Sequence, residues 1–316
     1  LPDKTSEAPD TSKPVLYYHY AGLTDTGMVR DHNEDAYILP ANTDADTLAQ
    51  KGYLYVLADG MGGHQKGEVA SAVTIETVNA EYYAATLDLS PDAPESAIVQ
   101  ALANAIEQAN LEVMAATQGG GTTIATAVLY GDTLVSMNVG DSRIYLLRDN
   151  QLHRLSRDHS LVFRLVEMGK LTEEESLTHP RRNVLYQALG QGDDVDIHIV
   201  KEKLQLNDVV ILCSDGLWGE VGDQAIKEVL STITNPLTAI EQLVDLANRT
   251  GGPDNITAIV IQISDQKAPS EGYGSPVKSP QATLDNDDTH PSLPVLQPKH
   301  KKPRTLPENG HWEENS

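Results

Sequence analysis

Cysteine is nearly missing from this sequence: Cys213 is the only one among 316 residues. A single thiol excludes an intrachain disulfide framework and any cysteine-based zinc cage, and it suits a reducing compartment. Cys213 ends the apolar run Val209–Cys213, where a small core residue is the expected reading. Basic charge is scarce as well. Against 46 Asp and Glu stand 23 Lys and Arg, a formal net charge of −23. Phosphate backbones and anionic bilayers recruit basic patches, so neither nucleic acid nor a membrane surface is an expected partner. Long hydrophobic runs are missing too, none approaching the ~18 residues of a membrane span. Residues Leu1–Pro14 lack the apolar stretch of a secretory signal. The chain opens on Leu rather than Met, as a piece of a longer protein would, and this leaves its location open. The expectation is a cytoplasmic monomer.

Composition divides what is there into three parts. Residues 1–14 read as a disordered lead-in, and residues 265–316 as a disordered tail that holds eight of the 17 prolines. The basic cluster Lys299–Arg304 in that tail reads as a solvated charge run. Between them, residues 15–264 form one expected domain. Its strand signals are short β-branched and aliphatic runs: Ala36–Leu39, Tyr53–Ala58, Thr122–Tyr130, Thr133–Val139, Arg143–Leu147, Gln151–Leu155, Val209–Cys213 and Ile256–Ile263. Gly131-Asp132 and Asp149-Asn150 predict hairpin turns between neighbours. Apolar residues at helical spacing predict helices over Gly67–Ala85, Ser96–Thr117, Gln224–Ser231 and Pro236–Asn248, the last opened by proline. Hairpin-linked strands imply antiparallel sheets, and the helices arrive in pairs between strand groups. That pattern excludes a doubly wound parallel fold and predicts an α+β arrangement of two sheets with helices packed outside.

Three aspartates share one local setting. Asp59 follows the run Tyr53–Ala58 and precedes Gly60-Met61-Gly62-Gly63. Asp215 follows Val209–Cys213 and precedes Gly216. Asp254 sits in Gly251-Gly252-Pro253-Asp254-Asn255, just ahead of Ile256–Ile263. A carboxylate at a strand end is costly to bury unless it is paired or holds a cation, and glycine lets the backbone approach whatever it holds. One Asp-Gly alone is ordinarily a turn. If the sheets bring the three together, an all-oxygen site results, which selects Mg2+ or Mn2+ over zinc. The segment Arg30-Asp31-His32-Asn33-Glu34-Asp35 adds an arginine suited to a phosphate dianion and two carboxylates, Glu34 and Asp35, that could complete a metal shell; alternatively it is an exposed polar turn. Gly140-Asp141-Ser142-Arg143 is a further turn between strands.

In order along the chain, Gly27–Ala36 (GMVRDHNEDA), Ala58–Ser71 (ADGMGGHQKGEVAS), Gly120–Ala125, Asn138–Arg143 (NVGDSR), Ser156–Leu161, Asn183–Gly190, Leu212–Gly219 (LCSDGLWG) and Gly252–Thr257 (GPDNIT) resemble the type 2C, or PPM, family of metal-dependent serine/threonine protein phosphatases. The Asp-Gly-Met-Gly-Gly form resembles its bacterial branch. The resemblance implies a four-layer α-β-β-α sandwich with a metal centre at one edge of the two sheets. It implies that Asp59 bridges two cations, Mg2+ or Mn2+, and that Asp215 and Asp254 complete the ligands of the first. Asp35 and the Gly60 carbonyl would serve the second, with Glu34 a position at which members differ. Asp141 with Asp215 would hold a weaker third cation, Arg30 would clamp the substrate phosphate, and residues 156–190 would form a flap beside the cleft. Animal members carry a histidine two residues after the bridging aspartate; here that residue is Met61, and His64 is the nearest substitute as general acid, or else a cleft-rim residue.

The implied reaction is hydrolysis of phosphoserine and phosphothreonine by direct attack of a water held between two cations. The partners implied are phosphorylated proteins as substrates and an opposing Ser/Thr kinase, in signal transduction. Two other classes compete with this reading. A haloacid dehalogenase-like phosphatase needs an Asp-x-Asp pair, absent here because Gly60-Met61 follows Asp59. A degenerate phosphatase fold serving only as a binding module usually loses ligands, whereas Asp35, Asp59, Asp215 and Asp254 are all retained.

Overall fold

The computed structural model describes residues 16–40, 48, 50–62, 65–90 and 93–267. The expected lead-in, most of the tail and His64 lie outside the described residues. In chain order the principal elements are β1 (Tyr17–Asp25), β2 (Asp35–Ile38), β3 (Tyr53–Met61), α1 (Gln65–Ala85), α2 (Glu95–Thr117), β4 (Gly121–Thr122), β5 (Ile124–Tyr130), β6 (Thr133–Val139), β7 (Arg143–Arg148), β8 (Gln151–Arg154), α3 (Leu161–Glu167), α4 (Glu173–Leu177), β9 (His198–Lys203), β10 (Val209–Cys213), α5 (Asp215–Thr232), α6 (Pro236–Arg249) and β11 (Ile256–Ser264).

Two sheets form, with strand orders β1-β11-β10-β7-β8 and β2-β3-β5-β6-β9, β4 adding to β3. Every strand pairing is antiparallel. The period-two alternation of a strand sorts its side chains into separate cores. From β10, Val209, Ile211 and Cys213 point to α5 and α6, while Val210 and Leu212 point into the space between the sheets. From β3, Leu54 and Val56 meet α1 and α2, while Tyr55 and Leu57 face the other sheet. Strands buried on both faces read as unbroken apolar runs, and the result is the four-layer α-β-β-α sandwich. No helix among the described residues is long and apolar enough to cross a membrane.

Local signals explain several boundaries. Asp149 and Asn150 both adopt left-handed backbone, at φ 48° and 58°, which closes the β7–β8 hairpin. Asn235 caps α6 by accepting from the Thr238 N–H at 3.0 Å, with Pro236 at the first helical position. The helix expected over Gln224–Ser231 begins earlier, at Asp215. Ser214 is its N-cap residue, and Gly222, at φ 76°, breaks it into two pieces. Two edge strands, β1 and β9, were not expected. Neither carries an aliphatic run, since each buries only part of its side chains.

Candidate metal centre

The acidic residues converge because strand pairing brings distant segments together. Asp35 opens β2 directly opposite Asp59 of β3. Asp59 therefore lies within a strand that runs on to Met61 rather than just beyond its end. Asp215 is the first residue of α5, and Asp254 lies in the loop that leads into β11, the strand paired with β10. A cleft of about 620 Å3 is lined by Arg30, Glu34, Asp59, Asp141, Asp215 and Asp254, together with Gly60. Glycine is required at its floor: a Cβ on Gly60 would run into the carbonyls of Gly67 and Glu34, and one on Gly67 would strike the Glu34 carboxylate.

Burial and mutual repulsion dominate the electrostatics. Burial pushes the Asp35 carboxyl up to about 7; the hydroxyls of Thr257 and Ser214 oppose the shift, and Asp215 and Asp254 add to it. Burial, then Asp254, pushes Asp215 up to about 6. Asp59 is pushed well above the carboxylate range by burial, then by Asp35, Asp215 and Asp141. Asp141 is pushed the same way by burial, Asp215 and Asp158, with Arg143 opposing. Raised values of this kind mark a cluster short of compensating positive charge. A cation in direct contact with the cluster is Arg30, whose guanidinium donates to Asp254 Oδ2 at 2.8 Å.

Neighbouring polar groups orient the carboxylates. Ser214 Oγ donates to Asp35 Oδ2 at 2.9 Å and accepts from the Thr257 N–H at 3.0 Å. Thr123 Oγ1 accepts from the Asp59 N–H at 3.1 Å, while Thr122 Oγ1 donates to the Asp59 carbonyl at 2.9 Å. Asn255 accepts from the Glu34 N–H at 2.9 Å and donates to the carbonyls of Thr26 and His32 at 3.0 Å each, pinning the loop that carries Arg30. The Glu34 carboxylate pairs with His32 at 2.9 Å. Sequence reasoning missed Ser214, Thr123 and Asn255 as site residues, although each lies within a quoted motif.

Among the described residues, no three His, Cys, Asp or Glu side chains form a ready-made metal cage; Asp254 is engaged by Arg30 and Asp35 by Ser214. The donor set nonetheless fits a hard cation. It is all carboxylate and carbonyl oxygen, and Asp35 Oδ1 is buried with no hydrogen-bond partner among the described residues.

Residues 31–248 match the protein phosphatase 2C family. The chain belongs to the protein phosphatase 2C family. Bacterial phosphatases are among its relatives. It is 34% identical over 289 residues to the serine/threonine protein phosphatase PstP of Mycobacterium tuberculosis, a match covering 90% of this chain and 51% of that protein. The chain thus spans about half the length of that relative. It is 33% identical over 250 residues to the serine/threonine phosphatase stp of Listeria monocytogenes, covering 77% of this chain and 95% of the relative. Among phosphatase 2C structures, the catalytic domain of PstP in complex with two manganese ions superposes with a TM-score of 0.66 at 33% identity, covering 79% of this chain and 100% of that one.

Proposed function

We propose that this phosphatase 2C member hydrolyses phosphoserine and phosphothreonine in proteins, with Mg2+ or Mn2+ held by Asp35, Asp59, Asp215 and Asp254. The observation that carries the reading is the meeting of four separate chain segments, each bringing an aspartate, at one cleft beside an arginine. Bound there, the cations would supply Lewis acidity, neutralising phosphoryl oxygens and readying a water for in-line attack.

The chain's own residues do the rest. Asp59 feels the charges of Asp35, Asp215 and Asp141, and would be the carboxylate that the cations share. Asp35 offers its unpartnered Oδ1, the Gly60 carbonyl adds a neutral oxygen, and Glu34 is a reserve carboxylate at the cleft wall. Asp141, which feels the Asp215 charge, would with it hold a weaker third cation. Arg30 presents a planar fork to the cleft and orients the phosphate dianion. His64 is the proposed proton donor to the leaving oxygen. Cys213 serves no nucleophilic purpose: it is fully buried and burial pushes its thiol up, away from the reactive thiolate.

The catalytic domain is proposed to span residues 15–264, with residues 156–190 as the flap. The protein acts as a cytoplasmic monomer against an opposing Ser/Thr kinase in signal transduction; its lone buried thiol and acid excess favour that setting. The deciding experiment is phosphate release from p-nitrophenyl phosphate and a phosphothreonine peptide. Mn2+ should stimulate both, chelator should stop both, and Asp59→Ala should be inactive while folded. Undiminished hydrolysis in chelator would end this reading.

A further inference from the structure

Arg143 opens β7 two residues after Asp141, and its side chain is only 10% exposed. Its Nε and Nη2 donate to the Asp158 carboxylate, the shortest bond being 2.7 Å. Its Nη1 donates at 3.0 Å to the Tyr145 hydroxyl, which donates at 2.8 Å to Asp223. The guanidinium carbon lies 3.4 Å from the centre of the Trp218 ring. Trp218 is held at its other edge, where Nε1 donates to the Asp141 carbonyl at 3.1 Å. These partners link β7 to two other parts of the site. Asp158 immediately precedes the segment that leads into α3, at the root of the proposed flap. Trp218 lies in the first turn of α5, three residues after Asp215, and Asp223 follows the break at Gly222. Three of its five N–H groups are engaged in these bonds, and one face of the guanidinium is covered by the indole.

We propose that Arg143 is a positioning residue: stacked on Trp218, it forms a strut that sets Asp141 against Asp215 and ties both to the flap root at Asp158. The inference rests on reading Asp141 and Asp215 as cation ligands. Asp141 sits on a turn between strands and Asp215 on a helix, so their relative placement depends on tertiary contacts. The indole–carbonyl bond is one such contact, and the stacked guanidinium keeps the indole in place. Asp141 and Asp215 line both the metal cleft and a second cavity of about 620 Å3 between α5 and the flap helices, and Arg143 and Trp218 line the second. The strut therefore forms part of the wall beside the aspartates. Lysine would keep the charge but has neither the two-pronged grip nor the flat face.

The test is Mn2+ titration calorimetry without substrate on wild type, Asp141→Ala, Arg143→Lys and Trp218→Phe, beside kcat and KM for p-nitrophenyl phosphate at graded Mn2+. Trp218→Phe keeps an aromatic ring beside the guanidinium, smaller than the indole, and removes the indole N–H that donates to the Asp141 carbonyl. The binding step that Asp141→Ala abolishes should weaken roughly 10–100-fold in both strut variants, the usual effect of losing an outer-shell partner. The turnover deficit should shrink at saturating Mn2+. Failure of Arg143→Lys to rescue separates fork and stack from charge. The idea is overturned if Trp218→Phe, melting like wild type, binds Mn2+ as wild type does, or if no step depends on Asp141. If Arg143→Lys does not fold, Trp218→Phe decides alone. A wild type that binds Mn2+ yet cleaves no phosphoester defeats the phosphatase reading, and calorimetry still judges the strut.

Discussion

Asp35 and Asp59 are register partners on the adjacent antiparallel strands β2 and β3, and each raises the charge burden of the same cleft. Like charges placed opposite each other destabilise a sheet, so this pairing is a local cost in the fold that cation binding would relieve.

The first prediction follows from that cost. Asp35, near 7, and Asp215, near 6, stand above the ordinary 3.8, and burial with the neighbouring carboxylates pushes Asp59 well above it too. A carboxyl with a raised folded value binds more protons folded than unfolded. Its stabilising share is complete below about pH 4 and is lost as pH climbs through 6 to 7. In chelator at pH 8, Asp59→Asn should therefore melt above wild type by roughly 2–6 °C, the shift expected for about 1–2 kcal/mol. At pH 5 the gap should narrow, and excess Mn2+ should raise only the wild type. Scanning calorimetry at both pH values checks the order of the midpoints.

Ser214→Ala removes the hydroxyl that donates to Asp35 Oδ2 and strands the Thr257 N–H. Mn2+ affinity should fall roughly 10–100-fold, and stability by about 1–3 kcal/mol. Calorimetric titration and urea unfolding measure the two effects separately; unchanged affinity would remove Ser214 from any role at the metal centre.

Arg30→Ala should leave the melting temperature almost unmoved, because its pair with Asp254 is 49% and 29% exposed and such surface pairs contribute little. KM for p-nitrophenyl phosphate should rise roughly tenfold or more, the worth of a charged hydrogen bond, while Mn2+ affinity holds or tightens as Asp254 is released. Steady-state kinetics alongside metal titration distinguishes this from a ligand defect.

Asn255→Ala should destabilise the protein by about 2–4 kcal/mol, since three main-chain groups lose a buried partner at once. Urea unfolding in chelator gives the figure. Activity should fall with it, because the freed loop carries Arg30. A loss below about 1 kcal/mol would mean that water replaces the amide there.

Much of the sandwich was legible because strands buried on both faces carry apolar runs, as Val209–Cys213 and the central Ala258–Ile261 of β11 do. β1 and β9 escaped notice because edge strands bury little: Tyr17-Tyr18-His19-Tyr20 and the alternating His198–Lys203 carry no such run. Asp215-Gly216 read as a turn, yet the pair begins α5, since Ser214 takes the capping position and Leu217 packs into the core. Asp59, Asp215 and Asp254 stood out as acids beside glycine at the ends of apolar runs. Ser214, Asn255 and Arg143 did not, because a hydroxyl, an amide or a guanidinium acquires its role from whichever segment lies across from it.

By itself the sequence determined the layer pattern and the kind of chemistry available: hairpin-linked apolar runs demand packed antiparallel sheets, and oxygen donors without thiols suit hard cations. The tertiary structure decided which donors meet. Only the pairing of β2 with β3 and of β10 with β11 sets Asp35 beside Asp59 and brings Asp215 toward Asp254. Only the packing of α5 against β7 slides Trp218 beneath Arg143. Local periodicity dictates which face of a strand is apolar, but contacts between residues far apart along the chain are selected by the packing of the whole domain.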